Sequence, residues 1–230
     1  MLFREEDEDL EVLPFADRAE AGRMLASKLR AYSGRNDAIV MGLPRGGVVV
    51  AFEVASALHV PLDILAVRKL GAPCSPELAM GAVAEGSVQV LDLSMVRALG
   101  ISEEDILKAT TVARREIETR QSSYHGDRPP LAVEGKIVIL VDDGIATGCS
   151  ILAAIAALRR RRAARVVVAV PVTSATGCSA VRMEADELIS VLEPNFLLAV
   201  SQWYQDFSQV SDEDVRRMLA HPLGAMRHAA

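Results

Sequence analysis

IVILVDDGIATGCSILAAIAALRRRRAARVVVAVPV, residues 137–172, contains one complete strand–loop–helix–strand unit. Ile137 to Val141 is a continuous apolar run of strand length, and Asp142 to Gly148 is a tight loop. Ser150 to Leu158 is an apolar helix, and Arg165 to Val172 is a second buried strand. Apolar strands alternating with helices predict a mostly parallel sheet covered by helices on both faces, an α/β fold. The crossovers should be right-handed, with any ligand at the carboxyl ends of the strands.

The flanking sequence extends the same pattern. Asp17 is placed to cap a first helix whose apolar stripe runs through Met24, Leu25 and Leu29. Ala38 to Leu43 reads as a buried strand, broken by Pro44 and the Gly46-Gly47 pair, with a helix over Val48 to Leu58. Leu62 to Val67 reads as another strand, and Arg68 to Gly86 as a long loop ending in a hairpin. Ser102 caps a long polar helix from Glu103 to about Ser122, with Asp105 in its first turn, and Pro129-Pro130 stops it. Leu188 to Leu192 is a final strand, followed by the apolar stretch from Phe196 to Val200.

Composition limits the function classes. The 230 residues carry 25 Lys+Arg against 31 Asp+Glu, a net charge of −6, and only 4% aromatic residues. An acidic, aromatic-poor chain lacks the basic face or stacking surface that bulk nucleic-acid binding requires, and it suits an anionic membrane no better. A chain of this length buries roughly 70% of its unfolded surface and needs no disulfides or structural metal to fold. Cys74, Cys149 and Cys178 form no C-x-x-C pattern, and His59, His125, His221 and His228 no H-x-x-x-H pair, so no transition-metal site is indicated. G-x-S-x-G, Walker A and G-x-G-x-x-G sequences are absent. The acidic start, MLFREEDEDLEVLPF, is unlike a signal peptide, and the apolar runs are too short to span a bilayer, so the expected location is the cytoplasm.

Two loops carry the chemistry. In V-D-D-G-I-A-T-G, Val141 to Gly148, the carboxylates of Asp142 and Asp143 can accept hydrogen bonds from vicinal hydroxyls such as those of a ribose. Ala146 to Ser150 offer free amides at a helix N-terminus, which together with the Thr147 and Ser150 hydroxyls favour a phosphate. L-P-R-G-G, Leu43 to Gly47, is a second strand-to-helix turn with exposed amides.

The first loop resembles the 5-phosphoribosyl pyrophosphate (PRPP) loop of type I phosphoribosyltransferases, in which an acid pair holds the ribose hydroxyls and a Thr-Gly turn the 5-phosphate. The resemblance assigns Asp142 and Asp143 the first role, and Gly144, Ala146, Thr147, Gly148, Cys149 and Ser150 the second. L-P-R-G-G resembles the family's pyrophosphate loop, with Arg45, Gly46 and Gly47 meeting the leaving group. V-R-K-L-G-A-P-C-S-P-E-L-A-M-G-A-V, Val67 to Val83, falls where family members carry a mobile flap, and Arg68 and Lys69 are then placed to neutralise the departing pyrophosphate. W-Y-Q-D-F, Trp203 to Phe207, falls where a C-terminal hood stacks an aromatic on the acceptor base, making Trp203 and Tyr204 candidates. As a whole the chain looks like a bacterial phosphoribosyltransferase-like branch of this family.

The resemblance implies transfer of phosphoribose from magnesium-bound PRPP to a nitrogenous base, with Asp142 and Asp143 reaching Mg2+ largely through PRPP. Enzymes for 6-oxopurines carry an Asp just before Thr-Gly, where this chain has Ala146, so an adenine- or uracil-like acceptor is expected. Cys149 also departs from the pattern, standing where Gly is common. The implied organisation is an acidic tail over residues 1–14, a phosphoribosyltransferase-like domain over 15–210 and a C-terminal helix and tail over 211–230. Within the domain, the flap is 68–86 and the hood 193–210. A homodimer is compatible with the family. A regulator that binds PRPP or nucleotides without catalysis is the alternative, with Arg159 to Arg162 as its one basic cluster; PRPP synthesis from ATP ranks below both.

Overall fold

The computed structural model describes residues 14–73, 75–126, 128–174 and 178–221. The acidic tail, Cys74 and the end of the C-terminal tail lie outside the described residues.

Five parallel strands form the central sheet: β1 (Ala38–Gly42), β2 (Leu62–Ile64), β6 (Ile137–Val141), β7 (Arg165–Val172) and β8 (Glu187–Leu192). Their spatial order is β2-β1-β6-β7-β8, with Ala38 beside Ile137 and Val138 beside Val166. The expectation of a parallel sheet covered on both faces holds, because strands this apolar must be covered on both sides. One face is covered by α1 (Arg18–Lys28), α2 (Gly46–Leu58) and α7 (Asp212–Ala220), which share a core containing Leu25, Val54, Ile139 and Leu219. The other is covered chiefly by α5 (Cys149–Arg160), whose Ile151, Ile155 and Leu158 meet Val138, Leu140 and Val168, with the short α6 (Ser179–Glu184) beside it. Asp17 caps α1 as expected, its side chain accepting from the Glu20 amide, although Met24 faces solvent rather than the core.

Arg68 to Gly86, expected to form a long loop ending in a hairpin, instead contributes most of its described residues to a second, antiparallel sheet. β3 (Val67–Ala72), β4 (Ser75–Ala84) and β5 (Val88–Leu91) pair antiparallel, followed by the short α3 (Leu93–Ala98). The expected strand from Leu62 to Val67 is therefore two strands in different sheets, broken after Ile64. The long helix α4 (Glu103–His125) covers one face of this sheet, with Ala113 and Ile117 against Leu70, Met80 and Val83. On the other face, Cys149, Ala153 and Ala157 of α5 meet Ala82, Ala84 and Val88. These three residues recur every fourth position, so α5 presents a stripe of small side chains to one sheet and a stripe of large ones to the other. β3 and β4 are rich in Gly and Ala, which have little intrinsic β preference; packing between two helices is what orders them.

Candidate active site

β1 and β6 are neighbours, but the chain leaves them in opposite directions, to β2 on one side and β7 on the other. Such a reversal of strand order opens a crevice at the carboxyl ends of the strands, where ligands of open α/β sheets bind. The two loops singled out by sequence meet there. Residues 43–47 follow β1, residues 142–148 follow β6, and the Leu43 amide donates to the Val141 carbonyl at 2.9 Å. The Pro44–Arg45 peptide bond is cis. Two glycines permit the contact between the loops. A Cβ on Gly46 would stand 2.0 Å from Asp143 Oδ2, and one on Gly47 2.7 Å from Asp142 Oδ1.

Asp142 and Asp143 are half-buried, and each has a defined setting. The Asp143 amide donates to Asp142 Oδ1 at 2.9 Å. Arg18 Nε donates to Asp143 Oδ2 at 2.9 Å, its Nη1 donates to the Ser208 carbonyl at 2.9 Å, and its guanidinium lies 3.7 Å from the Phe207 ring centroid. Burial, followed by the neighbouring Asp143 charge, pushes the Asp142 carboxyl well above the usual carboxylate range. Burial raises Asp143 as well, with Arg18 the principal opposing influence, and the Lys69 ammonium favours the ionised form of both acids.

The helix starts supply the complementary charge. Among helices of nine residues or more, α1, α4 and α7 have side-chain caps from Asp17, Ser102 and Ser211. The two that begin at the crevice, α2 and α5, have none. Gly148, at φ 78°, turns the chain into α5 without offering a side chain to its first amides, which stay open to an anion. A cleft of about 600 Å³ is lined by Lys69, Asp142, Asp143, residues 144–148, Ser150, Ile151, Val200, Ser201 and Phe207. It shares Lys69, both acids and Ser150 with a second hollow of about 310 Å³, which adds residues 43–46, Val67, Arg68 and Arg120.

Most of the residues assigned from sequence therefore converge: Asp142, Asp143, Gly144, Ala146, Thr147, Gly148, Ser150, Arg45, Gly46, Arg68 and Lys69 all border this space. Gly47 stands directly against Asp142. The Cys149 side chain is buried in the contact between α5 and β4, so the role assigned to this position falls to its backbone amide at the start of α5. Two expectations change. Tyr204 is buried rather than presented to a base, and its hydroxyl donates to the Asp143 carbonyl at 2.6 Å; burial, and then the Asp143 charge, raise its phenol. Trp203 packs against the apolar cluster that holds Phe15 and Val172, and the aromatic residue that lines the cleft is Phe207. Sequence reasoning missed Arg18 and Arg120. Arg18 follows an N-cap and Arg120 lies on a polar helix, where nothing local distinguishes them from solvated arginines.

Comparison with known proteins agrees with this geometry. The family model for the phosphoribosyl transferase domain matches residues 15–201. A Mycobacterium tuberculosis H37Rv protein, named provisionally as a phosphoribosyl transferase, is 42% identical over 204 residues, covering 87% of this chain and 45% of that protein. The chain thus spans about half the length of the curated relatives it matches. The crystal structure of TT1426 from Thermus thermophilus is similar, with a TM-score of 0.74 and 41% identity over 90% of this chain and 98% of that one.

Proposed function

This chain belongs to the phosphoribosyl transferase family, and from that premise we propose that it transfers the 5-phosphoribosyl group of PRPP to a nitrogenous base with release of pyrophosphate. One observation carries the reading: the acid pair Asp142-Asp143 stands between two helix N-termini that no side chain caps. The carboxylates accept hydrogen bonds from the ribose hydroxyls, the amides and hydroxyls of residues 146–150 hold the 5-phosphate, and the start of α2 with Arg45 and Lys69 receives the diphosphate. A base nitrogen attacks the anomeric carbon as the bond to pyrophosphate breaks, through an oxocarbenium-like transition state of the kind seen in glycoside cleavage. The protein's contribution is positioning and electrostatics.

The donor set suits magnesium. Asp142 and Asp143 are hard oxygen donors, and among the described residues no three His, Cys, Asp or Glu side chains stand together as a dedicated metal cage. The ion, which neutralises diphosphate charge when bound, would be held by these two acids and largely by PRPP oxygens. On the acceptor side the cleft has Val200, Ser201 and Phe207, and Ala146 supplies no carboxylate toward a purine ring. The acceptor proposed is therefore of the adenine or uracil kind rather than a 6-oxopurine.

The test is pyrophosphate release from magnesium PRPP with adenine, uracil, hypoxanthine, guanine, xanthine, orotate and nicotinate in turn. Release that depends on adenine or uracil is the expected result. Efficient turnover of hypoxanthine or guanine would overturn the acceptor class. PRPP binding without release for any base would favour a regulator on the same fold.

A further inference from the structure

The diphosphate side of the cleft holds more positive charge than its two loops and the flap strand supply. Arg45, Arg68, Lys69 and Arg120 all line it. Arg68 is already paired, with its Nε 2.8 Å from Glu116 Oε2 on α4. Arg120 stands one turn beyond Glu116 on the same helix and is half-buried. Among the described residues it makes neither an ion pair nor a hydrogen bond. The Tyr124 hydroxyl, one turn further on, is within reach of the charges of both Arg120 and Arg45, yet it donates to Asp212 Oδ1 at 2.6 Å. Arg45 and Lys69 likewise have no carboxylate within ion-pair distance among the described residues. Three cations with no carboxylate within ion-pair distance among the described residues thus share one hollow, Lys69 with the acid pair as its nearest opposing charge. Holding a partly desolvated guanidinium there is unfavourable until an anion arrives, and its planar fork suits two phosphate oxygens at once.

We propose that Arg120 is a binding residue for the diphosphate group of PRPP, delivered from α4 rather than from either loop or the flap strand. The inference rests on the PRPP reading above and adds a ligand that no motif of the sequence marks. α4 thereby has two functions at this edge of the cleft: Glu116 pairs with Arg68 of β3, and Arg120 faces the substrate.

Isothermal titration of the full chain with three probes tests this: magnesium pyrophosphate, PRPP with magnesium, and ribose 5-phosphate, which lacks the diphosphate. Arg120→Ala should weaken the first two by roughly 10- to 100-fold and leave ribose 5-phosphate binding at the parental level. Arg120→Lys should recover part of the loss, because the charge remains while the fork is gone. If the alanine variant fails to fold, Arg120→Gln, with its shorter aliphatic stem, serves for the same comparison. Parental affinity for pyrophosphate in the variant overturns the proposal. An equal loss for all three probes together with a lowered unfolding midpoint makes Arg120 structural and overturns it too. A parent chain that binds ribose 5-phosphate but neither PRPP nor pyrophosphate overturns the PRPP reading itself, and this inference with it.

Discussion

Arg18 binds a carboxylate 125 positions away in sequence, and through that contact α1 becomes part of the site. Its guanidinium satisfies Asp143 on one edge and the Ser208 carbonyl on another, with the Phe207 ring against its face. Arg18→Ala should let Asp143 swing and raise KM for PRPP about tenfold with a smaller change in kcat, whereas Arg18→Lys restores charge but not the forked geometry. Steady-state kinetics on both variants would check the split. Replacing the acids themselves is more severe. Asp142→Asn with Asp143→Asn should cost at least ~10²-fold in the rate of pyrophosphate release, since two charged acceptors are lost. A double variant with parental turnover would remove the acid pair from the chemistry. The acids were legible in the sequence because strand, loop and helix are contiguous there. Arg18 was not, because its role exists only once distant segments meet.

α4 illustrates the same point for an element. Ser102 and the first-turn acids announced its start correctly, and its C-terminus depends on a partner in another sheet. His125 Nε2 lies 2.8 Å from Asp63 Oδ1, and Asp63 is 1% exposed with further hydrogen bonds from the Ile64 and Leu131 amides. His125→Ala removes one of the hydrogen-bond partners of that buried carboxylate and should destabilise the fold by about 2 kcal/mol in urea unfolding. Nearby, Glu85 accepts from Gln121 of α4 and from Arg161 beyond α5. Burial raises the Glu85 carboxyl above its ordinary 4.5 despite the opposing Arg161 charge. The folded chain therefore keeps a proton that the unfolded chain has lost, and stability falls as pH rises through that interval and is level on either side. Unfolding midpoints from about pH 4 to about pH 7 should show the parent losing stability relative to Glu85→Gln as pH rises. The antiparallel sheet was the least legible element. A strand reading built on branched apolar residues passes over a Gly-, Ala- and Pro-rich stretch that two helices hold extended.

Across the whole molecule, the two flanks of the sequence close the site together. The Phe15 amide donates to the Trp203 carbonyl, the Gln205 amide returns the bond to Phe15, and the Phe15 and Tyr204 rings sit 5.4 Å apart. Phe15→Ala should cost about 3 kcal/mol of stability and weaken PRPP binding, because Tyr204, which braces the Asp143 carbonyl, loses its support. Scanning calorimetry with and without PRPP would separate the two effects. The α/β class, the parallel sheet, the acid pair and the two uncapped strand-to-helix turns could be read from residue order alone, since each depends on side-chain period, chain punctuation and groups a few residues apart. The helix cover of the antiparallel sheet, the burial of Cys149 and Tyr204, and the approach of Arg18 and Arg120 to the cleft arise from contacts between segments far apart in sequence. Packing sets those contacts, and no local pattern encodes them.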